Sequence, residues 1–234
     1  MGEAYHLDEL RIAQDPSHPA HLLPPPVPAS SRVLGVGCGA GQILLTAYPE
    51  QLTFGIDVDR SALRLGRSLT QNVGFVCAQA EALPFRAGEF DLVVARVSLP
   101  YTDLPKSLRE MRRVLKPGGL VWMTLHPFAT SWKQAQASGW KGKLFFAYIL
   151  LNSVLFHFVQ RQISCCGRYE SFQTEGGIRR ALQGAGFRHI VVEQNRHFLV
   201  TARAVCQRVT VTGESGKAAD LPRRAPGHPQ RDRA

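Results

Sequence analysis

The sequence predicts an α/β fold: a single domain on a doubly wound, mostly parallel sheet of seven strands, ending with an antiparallel last strand. Three observations carry that expectation. Short apolar runs alternate with amphipathic helical stretches over residues 32–125, a glycine-rich turn follows the first of these runs, and two apolar runs within 189–202 face each other across a short polar turn. Alternation at these lengths implies right-handed crossovers and a sheet covered on both faces, and the closing hairpin reverses one strand.

Residues 1–31 form an N-terminal arm, whose six prolines (Pro16, Pro19, Pro24, Pro25, Pro26 and Pro28) leave no room for a helix or central strand over residues 13–31. Arg32 to Val36 is a short apolar run of the kind that makes a strand buried on both faces. Gly37-Cys38-Gly39-Ala40-Gly41 then turns the chain into a helix over Gln42 to Tyr48. Phe54-Gly55-Ile56-Asp57 is the second strand, Ser61 to Leu69 the next helix, and Phe75 to Ala78 and Phe90 to Ala95 are strands three and four. Leu104, Leu108, Met111 and Leu115 recur at helical spacing until Lys116-Pro117-Gly118-Gly119 ends the helix, and Leu120 to Leu125 is the fifth strand. Ile178, Leu182 and Ala185 mark a last helix, and His189 to Glu193 with His197 to Ala202 form the hairpin across Gln194-Asn195-Arg196. The domain therefore covers 32–210 with an insertion at 128–172. The stretch 211–234, rich in Gly, Ser, Pro and Arg, has too few large apolar residues to offset its ordering entropy and reads as a disordered basic tail.

With 44% hydrophobic and 20% charged residues among 234, the chain suits one domain with a sizeable core and excludes fibrous or wholly disordered classes. Cys38, Cys77, Cys165, Cys166 and Cys206 are an odd set without C-x-x-C spacing, which argues against a disulfide framework or zinc site and for a cytoplasmic setting. Met1 to Ile12 lacks the apolar core of a secretory signal. A net charge of +10 suits anionic partners in general. The basic residues are not interleaved with aromatics as in RNA-binding surfaces, so nucleic acid is disfavoured.

The Gly37-x-Gly39-x-Gly41 loop lets backbone approach a ligand at the end of the first strand, where the N–H groups of the following helix point outward. Asp57 follows 20 residues after Gly37, at the tip of the second strand, where a carboxylate accepts the hydroxyls of a ribose. Loop and carboxylate together point to a nucleotide-type cofactor. The bland alternative is a tight turn with Asp57 capping the next helix.

These stretches resemble the class I S-adenosylmethionine-dependent methyltransferases, in particular the group that includes the ubiquinone and menaquinone C-methyltransferases. Val33 to Gly41 is similar to that family's first motif, Phe54 to Asp57 to its ribose strand, Ala78-Gln79-Ala80-Glu81-Ala82-Leu83-Pro84-Phe85 to its adenine segment, and Phe90 to Gly119 to the block that follows. The resemblance covers about half the chain and implies a Rossmann-like methyltransferase fold with S-adenosylmethionine as cofactor. It implies that Gly37, Cys38 and Gly39 approach the methionine end, that Asp57 binds the ribose, that Gln79 and Ala80 face the adenine, that Gly41 and Val58 belong to the same cofactor-binding set, and that Arg96 lines the cleft near the sulfonium. Gly35 and Gln79 depart from the family, which usually has an acidic residue and an aspartate there. A nicotinamide-dependent oxidoreductase and a non-catalytic cofactor-binding relative are the alternatives. The first is disfavoured because G-x-G-x-G replaces G-x-G-x-x-G and the sheet closes on a hairpin.

On the substrate side, Tyr101 after the fourth strand and His126 at the carboxyl end of the fifth stand where open α/β sheets place their crevice, and His126 is a candidate proton acceptor. Leu144 to Val159 is mostly apolar, shorter than the ~20 residues of a membrane span, and flanked by Lys141, Lys143 and Arg161. It is expected to be a lid over a small, apolar or aromatic acceptor, a buried helix, or a peripheral membrane contact that would add membrane association to a cytoplasmic protein.

Overall fold

The computed structural model describes residues 2–125, 140–165, 169–194 and 197–205. In chain order the elements are α1 (Glu3–Gln14), β1 (Val33–Val36), α2 (Gln42–Ala47), β2 (Thr53–Asp57), α3 (Arg60–Leu69), β3 (Val73–Cys77), β4 (Phe90–Arg96), α4 (Leu104–Val114), β5 (Leu115–Leu125), α5 (Trp140–Val159), α6 (Glu175–Gly184), β6 (Phe187–Gln194) and β7 (Phe198–Ala204). A short 3-10 turn, Leu99–Tyr101, leads into α4.

The seven strands form one sheet in the order β3-β2-β1-β4-β5-β7-β6. The pairs from β3 to β5 are parallel, and β7 runs antiparallel to both β5 and β6. This is the predicted Rossmann-like arrangement, with β7 as the reversed strand. β1 explains its own position: Val33, Leu34, Gly35 and Val36 are all buried, as a central strand covered on both faces demands.

Side chains alternate across the sheet into two cores, as double winding requires. One face gathers Leu34, Ile56, Val93, Val121, Val200 and the apolar stripe of α4. The other gathers Val33, Leu44, Leu63, Phe75, Leu92 and Trp122 beneath α2 and α3. At the amino end of the strands, Phe54, Phe85 and Phe90 meet edge to face and the Arg32 guanidinium lies 4.9 Å from the Phe54 ring centre.

Three differences from the sequence reading stand out. The arm contains a regular helix, α1, which carries no clear apolar stripe and no side-chain N-cap; it holds its place through His6 and Ala13, both buried. β5 begins at Leu115, five residues before the expected start, because Leu115 already pairs with Phe90 across a register shift that absorbs Pro117 and the two glycines. The apolar segment is a longer helix than expected, since α5 runs over 20 residues. Residues 206–234, which include the predicted tail, and 126–139 at the start of the insertion lie outside the described residues.

Candidate cofactor-binding and active site

The strand order reverses at β1: the chain steps outward through β2 and β3, then returns to β4 on β1's other side. In open α/β sheets the ligand crevice lies at the carboxyl ends of the strands flanking such a switch. Here those ends carry the glycine loop after β1 and the Val97-Ser98 step after β4.

The loop is wound by left-handed glycines, with φ of +64° at Gly37, +56° at Gly39 and +82° at Gly41. Its hydrogen bonds fix it against β2: Cys38 N–H donates to the Ile56 carbonyl at 2.9 Å, and Gly41 N–H to the Cys38 carbonyl at 2.8 Å. At Gly37 a side chain is excluded twice over, because a Cβ there would stand 2.2 Å from the Ser98 Cβ. Ser98 in turn donates from Oγ to the Val36 carbonyl at 2.8 Å, pinning the end of β4 to the end of β1. The residue before it, Val97, has φ +55°, a strained value for a β-branched side chain, held by its N–H donating to the Thr124 carbonyl and Oγ1, each at 3.1 Å.

Asp57 ends β2 directly beside the loop: its Oδ2 accepts from Gly39 N–H at 2.8 Å and its Oδ1 from Asp59 N–H at 2.9 Å. The cap of α3 is Asp59, which accepts from Ser61 and Ala62 N–H. Asp57 is therefore not spent on capping the helix. A carboxylate has about four acceptor sites, so lone pairs on both oxygens remain for a ligand. The Asp57 carbonyl accepts from Ala78 N–H at 3.1 Å, which brings the 78–82 turn alongside, with Gln79 exposed, Ala80 buried and Val58 65% exposed at the tip of β2.

The glycines, Asp57, Val58, Gln79 and Ala80 thus meet at one end of the sheet. These residues fit an adenosine-type cofactor: a half-exposed carboxylate for the sugar, an exposed apolar side chain for the base, and a backbone cradle beside both. His6 adds a further sign, because its Nε2 is buried without a partner among the described residues while the ring stands about 3.1 Å from where a Gly39 Cβ would be.

α1 lies across this end of the molecule. Gln42, the first residue of α2, donates from Nε2 to the His6 carbonyl at 3.2 Å and lies 3.1 Å from His6 Nδ1. Arg96, at the end of β4, binds Glu9 of α1 at 2.5 Å and the Ala20 carbonyl at 3.1 Å. Arg96 therefore fastens the N-terminal arm over the site. A cavity of about 350 Å³ lies between α1 and α3, lined by Glu3, His6, Ser61, Arg64, Leu65 and Ser68. It touches neither the loop glycines nor Asp57.

Cys38 and Leu44 fill the space beside the two strand glycines: a Cβ on Gly35 would meet Leu44 Cδ1 at 3.0 Å, and one on Gly55 would meet Cys38 Sγ at 2.7 Å. Burial, and then the Asp57 carboxylate, push the Cys38 thiol well up, so it stays protonated. Tyr101 sits on the 3-10 turn, and burial, reinforced by Glu170 and Tyr5, raises its phenol as well. It keeps its proton at neutral pH. The insertion reaches the same edge, where Leu104 N–H donates to Gln162 Oε1 at 2.9 Å. His126 lies outside the described residues.

Sequence reasoning missed Ser98, Val97, His6, Gln42 and Glu9. None carries a local signal, since each matters only through a partner 27 to 87 positions away.

Residues 34–123 match the methyltransferase domain family known as Methyltransf_11. The chain is 34% identical over 105 residues to the uncharacterized methyltransferase YcgJ of Bacillus subtilis, which is 42% of this chain and 42% of that protein. It is 47% identical over 70 residues to the ubiquinone/menaquinone biosynthesis C-methyltransferase UbiE of Pasteurella multocida, covering 27% of this chain and 26% of that one. The chain thus aligns with less than half the length of these curated relatives. In three dimensions it superposes on the crystal structure of Bacillus subtilis YcgJ with a TM-score of 0.52 at 18% identity, over 76% of this chain and 93% of the other, which shows a shared fold. Residues 34–123 are thus similar to a methyltransferase domain, and the sheet around them shares the fold of YcgJ.

Proposed function

We propose that the protein transfers a methyl group from S-adenosylmethionine to a small, apolar or aromatic acceptor. The observation that carries this reading is the pairing of Asp57 with the Gly39 N–H at 2.8 Å, which joins ribose acceptor and glycine cradle into one site while Asp59 takes over the helix cap.

When bound, the cofactor supplies an electrophilic methyl on a sulfonium. The rest falls to the protein, and for an in-line displacement that neutralises charge the main contribution is alignment. Asp57 and the loop fix the adenosyl end. Ser98 and the strained Val97 hold β4 against β1, which fixes the floor of the crevice to within the rigidity of the sheet. The Glu9–Arg96 pair draws α1 down and limits water. Tyr101, with its raised phenol, presents a donor at the rim to an acceptor oxygen, and His126 is positioned by sequence to take a proton. The insertion, bound to the start of α4 through Gln162, forms an acceptor wall.

The test is transfer itself. The protein is incubated with methyl-labelled cofactor and a cell extract, which is then partitioned between organic solvent and water. Label in the organic fraction is expected. Label confined to protein or nucleic acid would contradict the acceptor class, and no label in any fraction would favour a binding protein without transfer.

A further inference from the structure

α5 is built inside out. Its polar residues point into the protein: Asn152 donates to the carbonyls of Ile163 at 2.9 Å and Glu170 at 3.2 Å and accepts from Ile163 N–H at 2.8 Å. Ser153 Oγ accepts from Phe172 N–H at 3.0 Å, and His157 Nδ1 lies 2.6 Å from Thr174 Oγ1. Ile149, Asn152, Ser153 and Phe156, at i, i+3, i+4 and i+7, make the buried face. The opposite face carries Leu144, Ala147, Leu151, Val154 and Phe158, at steps of three and four, all exposed; Leu144 is 67% and Phe158 74% exposed. At 1.5 Å per residue the stripe is roughly 20 Å long. Contiguous exposed apolar surface of that kind marks a docking site.

Charge selects the occupant. From residue 126 to 169 the sequence has Lys133, Lys141, Lys143, Arg161 and Arg168 and no Asp or Glu, within a chain of net charge +10. A second copy would set these cations against each other, whereas an anionic lipid surface complements them. The window Gly142–Val159 has a mean hydropathy of 1.6 and is long enough to cross a bilayer by length and composition. Crossing would, however, strip Phe156 from the domain core and leave Asn152 and Ser153 in hydrocarbon.

We propose that α5 lies in the plane of an anionic membrane interface, with the Leu144–Phe158 stripe among the acyl chains and the flanking Lys and Arg residues at the headgroups. The inference does not depend on methyl transfer, and binding of S-adenosylhomocysteine serves as an independent check that each variant is folded.

The experiment is co-sedimentation of the full chain with vesicles of phosphatidylcholine alone and of phosphatidylcholine with one quarter phosphatidylglycerol. Binding to the anionic vesicles is expected, falling with salt and released by a carbonate wash. The Leu151→Glu/Phe158→Glu variant should bind them at least tenfold more weakly. Each basic residue near an anionic surface strengthens binding about fivefold, so Lys143→Glu/Arg161→Glu should lose more than tenfold on the anionic vesicles only. Equal binding to both vesicle types, unchanged binding of the Leu151/Phe158 variant, or resistance to carbonate would overturn the proposal. So would a dimer in analytical ultracentrifugation that fails to bind vesicles and dissociates in the Leu151/Phe158 variant, which would make a second copy the occupant.

Discussion

Gly37 carries two constraints: a φ of +64° and a Cβ position 2.2 Å from the Ser98 Cβ. Gly37→Ala should cost about 1–2 kcal/mol for the left-handed backbone and a further ~1–3 kcal/mol for overpacking, lowering the melting temperature by roughly 4–20 °C. Ser98→Gly in that background removes the clashing atom and should restore the second part and not the first, which a double-mutant cycle reads directly. The same loop governs its thiol. Cys38, raised by burial and by Asp57, should resist iodoacetamide at pH 8 while the exposed Cys77 is alkylated, with mass spectrometry of peptides as the readout. The glycines and Asp57 were legible in the sequence because their chemistry is encoded locally, in spacing and strand position. His6, Ser98 and Glu9 were not, because nothing in their neighbours along the chain announces the partners the fold gives them.

Among the elements, α3 and α4 were legible because their apolar residues recur on one face; the structure adds an aspartate cap to each, Asp59 and Asp103. α1 was not. Its apolar residues do not collect into a stripe, and it is held by a few specific contacts, His6 with Gln42 and Glu9 with Arg96. Removing one should therefore loosen the whole helix. Glu9→Ala takes away a partly buried, charge-assisted bond of ~1.5–3 kcal/mol, and the amides of α1 should exchange with deuterium about tenfold faster or more, while those of β1 and β4 stay unchanged. α5 was legible as an apolar segment, yet its facing was hidden. Asn152, Ser153 and His157 interrupt the run as if they were the wet side, and only their contacts with Ile163, Glu170, Phe172 and Thr174 make them the inner one.

At the scale of the whole molecule, acidic side chains tie the sheet's amino end together, Asp91 to Lys116 and the Arg32 N–H, and fasten α4 to the chain before β4, Glu110 to the Leu83 N–H. Burial works against the Asp91 charge, but Lys116 and the Arg32 N–H outweigh it, so its carboxyl lies below the usual range, and Arg113 likewise lowers Glu110. A folded-state value below the unfolded one means stability that is present at neutral pH and lost as pH falls through the carboxylate range. The protein should unfold progressively on acidification, and Asp91→Asn should flatten that dependence in melting curves taken between pH 6 and 3. The doubly wound parallel sheet was legible from the alternation of strands and helices, and the reversed strand from the polar turn between the last two apolar runs. The crevice they create is where the account stands or falls. Titration calorimetry with S-adenosylhomocysteine, on the protein and on Asp57→Ala, tests it most directly. Saturable binding that weakens by at least tenfold in the folded variant is predicted; binding of NADH instead, or equal affinity in both proteins, would contradict it.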